Sequence, residues 1–194
     1  MLAPEVPPLA NLQGLFYFSE YNNLNHHSLA WEKNIMQKID IRSLLKNQNL
    51  LKEDGFINGK WVKSKTTFDI TNPATDELIA TVANLTTQDA ELAIKSAEDA
   101  LPAWRSKLGK ERAIILRKWF DLIIENTHDL ATLMTLEQGK PLPEAMGEVV
   151  YGASFVEWFA EEAKRVEGSI LETTWSDKRM MVLKQPIGVC VAIT

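Results

Sequence analysis

The chain has 194 residues, 45% of them hydrophobic and 24% charged, with a mean hydropathy of −0.15, a composition that buries a core and excludes a wholly disordered chain. A formal charge of −5 and an isoelectric point near 5.3 leave no basic footprint for nucleic acid or anionic lipid. One cysteine and nine glycines exclude an internal disulfide framework and a multi-cysteine metal site, and leave little material for a glycine-rich phosphate loop.

Residues 1–35 differ from the rest of the chain. Pro4, Pro7 and Pro8, the asparagines between Asn22 and Asn25, and the pair His26-His27 carry no sustained period. The segment reads as a disordered or non-native extension ahead of a second possible start at Met36. The two histidines lack Asp, Glu or Cys at ligand spacing, so they read as no metal site. Glu5, Glu20 and Glu32 stand against Lys33, with the first arginine at Arg42, which fits neither a secretory nor a mitochondrial leader. No run of 18 apolar residues exists. The reading is a cytoplasmic protein without a membrane span.

From Phe56 the local signals sharpen. Asn58-Gly59 stands between Phe56-Ile57 and Trp61-Val62, and both turn positions of a tight hairpin demand φ > 0. Extended chain runs from Phe68 to Val82, broken at Asn72-Pro73 and Thr75-Asp76-Glu77. A helical block is predicted over 86–168. Thr86 with Asp89 forms a capping-box pattern, and Ala90, Ala93, Ile94, Ala97, Leu101 and Trp104 recur at helical spacing, with Pro102 as a kink or stop. A second helix runs from about Lys110 to Glu125, and a third from Asn126 to the stop at Gly139-Lys140-Pro141. The fourth has Pro143 in its first turn and is expected to run until Gly168, the residue past its end. Its predicted inward face is Met146, Val149, Val150, Ala153, Val156, Phe159, Ala160, Ala163 and Val166.

Two strands are expected near the end of the sequence. One lies around Met180 to Leu183. The other, Ile187 to Ile193, is nearly all apolar, the pattern of a central parallel strand covered on both faces. The chain therefore reads as mainly helical with an N-terminal β-hairpin and C-terminal strands, the first part of an α/β domain.

Candidate chemistry is sparse. Cys190 sits in the apolar strand pattern with no His or Lys near it in sequence, and reads as a core thiol. His128 reads as a solvent-side residue in a helix's first turn. Glu161-Glu162, beside Lys164 and Arg165, reads as a solvated face rather than a general base. No residue is assigned as catalytic and none as a metal ligand.

Several blocks carry a resemblance to a known family. Leu101-Pro102-Ala103-Trp104-Arg105, Lys110-Glu111-Arg112-Ala113 and Leu116-Arg117-Lys118-Trp119-Phe120 resemble N-terminal helices of the aldehyde dehydrogenase superfamily. The run Leu133 to Leu142, the run Phe155 to Arg165 and Lys184-Gln185-Pro186-Ile187-Gly188-Val189 are similar to the succinate-semialdehyde branch. The likeness covers about Phe56 to Thr194, more loosely 36–55, so that 36–194 reads as the N-terminal portion of such a domain. It implies an α/β parent fold, an oligomerisation-type strand over 179–187 and the start of a first Rossmann-like strand over 187–194.

The resemblance implies an enzyme that oxidises succinate semialdehyde to succinate with NAD or NADP, in which a thiolate attacks the aldehyde and a hydride passes to the nicotinamide. The family's cofactor and catalytic motifs come later than Thr194, so this chain alone is expected to be inactive and to hold no cofactor. Ile193 and Thr194 would abut the cofactor through backbone, and Tyr151, Phe155 and Trp158 lie on a helix that borders the substrate tunnel, with core packing as their alternative role. Implied partners are a small aldehyde and either a homo-oligomer or a complementing C-terminal fragment. Alternatives are a non-catalytic oligomerisation stub, a subunit of a split enzyme, or a parent acting on another semialdehyde such as glutarate semialdehyde.

Overall fold

Asn58 and Gly59 both adopt positive φ, at +50° and +74°, and the turn they make joins β1 (Gly55–Ile57) to β2 (Lys60–Val62) in antiparallel register. The computed structural model describes residues 40–193; the expected extension over 1–35 lies outside them. Phe56 stands opposite Trp61, and their rings meet with centroids 5.0 Å apart. This is the aromatic cross-strand pairing that steadies so short a ribbon.

A second antiparallel pair comes next, β3 (Thr67–Thr71) with β4 (Leu78–Ala83). Asn72 closes the connection: its side-chain oxygen accepts the Ala74 N–H at 2.9 Å, and its own N–H donates to the Glu77 carbonyl. Ile79 and Ala80 of β4 are buried beneath Ile41 and Leu45, with Leu133 and Leu136 of a later helix completing the cluster. Ile41 belongs to the short helix α1 (Ile41–Leu44), which a 3-10 turn over Gln48–Leu50 follows. Nothing in the periodicity marks 40–51 as part of the core. The burial of Ile41 and Leu45 is a tertiary fact.

The helices largely obey their signals. In α2 (Thr87–Arg105) the Thr86 hydroxyl accepts the Asp89 N–H while the Asp89 carboxylate accepts the Thr86 N–H, so the capping box forms as expected. The helix continues through Pro102 to Arg105. Its predicted apolar face is not buried, however. No α2 residue is fully covered, because β1 is its main neighbour.

Helices α3 (Gly109–Glu125), α4 (Thr127–Gln138) and α5 (Leu142–Glu162) pack together, with α5 against both others. Gly139, with φ of +74°, ends α4 in the left-handed region, and Pro143 sits in the first turn of α5. The face that α5 buries consists of Ala145, Val149, Ala153 and Ala160. Small side chains at this spacing let helix backbones approach closely. Met146, Val150 and Phe159, expected inward, point outward instead.

Helix α5 stops at Glu162, six residues before the expected Gly168. Its 21 residues span about 31 Å at ~1.5 Å each. The last turn tightens, with the Arg165 N–H donating to the Glu162 carbonyl at 2.8 Å. Gly168 then serves a strand rather than a helix. A Cβ there would lie 2.4 Å from the Val182 carbonyl oxygen, because β5 (Ser169–Leu171) pairs antiparallel with β6 (Met180–Val182) and places Ser169 opposite Val182. Strand β6 falls within the expected 179–187 strand; β5 had no sequence signal.

The predicted parallel strand over 187–193 is not formed. These residues carry no strand pairing, and Ile187 is 94% exposed. A strand is defined by its partners, and among the described residues none runs beside this segment. The described residues are mainly helical, with three small antiparallel pairs among them.

Candidate functional site

The outer side of α5 gathers the candidate substrate-facing aromatics. At about 100° per residue, Tyr151, Phe155 and Trp158 fall on the side away from the buried alanine stripe. They are 65%, 48% and 64% exposed, so core packing does not account for them in this chain. Tyr151 and Phe155 meet edge to face with centroids 5.0 Å apart. Phe155 and Trp158 line an open groove with Ser154, Phe159 and Arg117; Tyr151 stands outside it.

Arg117 on α3 fixes one wall of this groove. Its two terminal nitrogens donate to Glu157 at 2.7 Å and to Glu161 at 2.8 Å, one turn apart on α5. Its guanidinium also lies 5.2 Å from the Phe120 ring centroid. The Arg117 hydrogen bond, with a second from Lys164 at 3.1 Å, holds the Glu161 carboxyl below the usual carboxylate range. Glu162 is paired with Arg165 at 2.7 Å. Glu161 so engaged is a poor proton acceptor, and both glutamates act in ion pairs, Glu161 from helix to helix and Glu162 locally.

At the base of α4 lies a polar contact that carried no sequence signal beyond an acid in a helix's first turn. Asp129 is 3% exposed, and its Oδ2 accepts the backbone N–H of Asn47 at 2.7 Å. The Asn47 side-chain amide reaches Asn126 at 3.3 Å. The Asn47 hydrogen bond pulls the Asp129 carboxyl below its ordinary value against the opposing cost of burial, with Lys46 and His128 adding to the pull. Oδ1 has no hydrogen-bond partner among the described residues. Asp129 thereby clips the N-terminal segment to the start of α4. His128 beside it faces solvent, as expected, with Nδ1 3.9 Å from the Asp129 carboxylate.

Residues 187–193 stand apart from this groove. Ile193 is 95% exposed, and Thr194, its companion in the expected cofactor contact, lies outside the described residues. Cys190 corrects the expectation of a core thiol. It is exposed, its sulfur 3.9 Å from the Gly188 carbonyl, because the strand that would bury it is not assembled. Among the described residues no group of three His, Cys, Asp or Glu side chains is placed to hold a metal ion, and no helix is long and apolar enough to cross a membrane.

Comparison with known proteins adds to this geometry. The sequence profile of the aldehyde dehydrogenase family matches residues 61–194. The chain is 53% identical over 152 residues to a glutarate-semialdehyde dehydrogenase of Pseudomonas putida and 50% identical over 152 residues to the NADP(+) succinate-semialdehyde dehydrogenase GabD of Escherichia coli. Each match covers 77% of this chain and 32% of the relative. Among solved structures, a succinate-semialdehyde dehydrogenase from Burkholderia pseudomallei superposes with a TM-score of 0.72 at 49% identity, over 75% of this chain and 31% of that one. The chain spans about a third of the length of the curated relatives it matches.

Proposed function

The chain belongs to the aldehyde dehydrogenase family, and from that premise we propose that it supplies the N-terminal portion of a semialdehyde dehydrogenase. The reaction is the oxidation of a short semialdehyde to its dicarboxylate: the aldehyde and water give the acid, and a hydride passes to NAD+ or NADP+ with release of a proton. Succinate semialdehyde is the proposed substrate. Identity of about half the residues over 152 positions, to enzymes named for semialdehydes, is the observation that supports this reading. Glutarate semialdehyde is the second reading, favoured by the 53% identity to the Pseudomonas putida enzyme.

We infer that the described residues by themselves offer a dinucleotide no cradle. The 187–193 segment is alkyl apart from Gly188 and Cys190, and its side chains stand in solvent. We therefore assign Ile193 and Thr194 at most a backbone contact with the cofactor, and derive no step through it. What this chain contributes to the reaction is structural. The alanine-faced contact of α5 and the Arg117 clamp set the position of the aromatic wall, and Tyr151, Phe155 and Trp158 are proposed to flank the path of the aldehyde. Strand β6 is the proposed assembly edge, in a cytoplasmic homo-oligomer or against a complementing C-terminal portion.

A chimera tests the proposal. Residues 61–194 of this chain replace the matching part of the Escherichia coli relative, and turnover of succinate and glutarate semialdehydes is monitored through the reduced cofactor. The expected result is a folded, active dehydrogenase, and a shift in its kcat/KM ratio for the two semialdehydes relative to the unaltered Escherichia coli enzyme reads what this chain contributes to the choice of substrate. A folded chimera that binds NADP+ but oxidises neither aldehyde would refute the reading.

A further inference from the structure

We draw no further inference here: the strongest candidate, the exposed aromatic groove along α5 formed by Phe155, Trp158 and Phe159 beside Arg117, belongs to the site already described, and nothing in the structure shows what covers its apolar face.

Discussion

Two alanine substitutions for glycine should move stability in opposite directions. Gly109 opens α3, where the helix start presses on the end of α5: a Cβ there would lie 2.4 Å from the Ala163 carbonyl oxygen and 3.4 Å from the Lys164 Cα. Ordinary carbon–oxygen contacts sit at about 3.3–3.6 Å, so the new methyl is roughly 1 Å too close. The atoms it meets are backbone and cannot rotate aside. Gly→Ala in a helix gains about 0.5–1 kcal/mol, less in a first turn, whereas overpacking costs about 1–3 kcal/mol. The net expectation for Gly109→Ala is a loss of about 1–2 kcal/mol, or roughly 2–8 °C in Tm for a chain of this size. Gly152 lies mid-helix in α5 with nothing within 4 Å of its missing Cβ. Gly152→Ala should therefore gain about 0.5–1 kcal/mol and raise Tm by about 1–4 °C. Thermal unfolding measured by far-UV circular dichroism reads both. A higher Tm for Gly109→Ala, or equal losses for the two variants, would refute the close α3–α5 contact.

Ile79→Ala removes a fully buried side chain from the cluster with Ile41 and Leu45; it should cost about 2–4 kcal/mol and lower the urea midpoint with little change in slope. Asp129 has a folded-state pKa below its unfolded value, so its contribution is present above the ordinary carboxyl value of about 3.9 and lost as pH falls through the folded value. Asp129→Asn should lower stability at neutral pH and flatten that acid limb in pH-dependent denaturation; an unchanged limb would remove Asp129 as its source. Cys190 is exposed, and a thiol reagent should label it fully without denaturant, whereas slow labelling would mean the 187–193 segment is covered. Isothermal titration of the 194-residue chain should show NAD+ and NADP+ binding no tighter than about 1 mM, near −4 kcal/mol, with no oxidation of succinate semialdehyde; turnover abolished by Cys190→Ala would overturn this.

Local rules placed most of the elements. Asn58-Gly59 required a turn with two positive φ values, Thr86 with Asp89 set the start of α2, and Gly139 before Pro141 ended α4. Each of these depends on groups within a few residues, so the sequence alone carries the information. What surrounds an element is another matter. The same helical period gave α2 an apolar face that no neighbour among the described residues fully covers, and gave α5 a face that the structure rotates onto its alanines. Gly168 looked like a helix stop because a glycine cap and a close strand contact need the same missing Cβ; only the approach of Val182 distinguishes them. Asp129 reaches Asn47 across 82 positions, and Arg117 reaches Glu157 across 40, separations that no local pattern encodes. The apolar run 187–193 has the composition of a buried strand but takes no strand pairing here. Composition favours the burial of a strand, and only neighbouring strands can satisfy its backbone. Sequence by itself thus determined turns, caps, helix starts and family membership, while the buried faces, the long-range polar clips and the fate of Cys190 were decided by which elements meet in three dimensions.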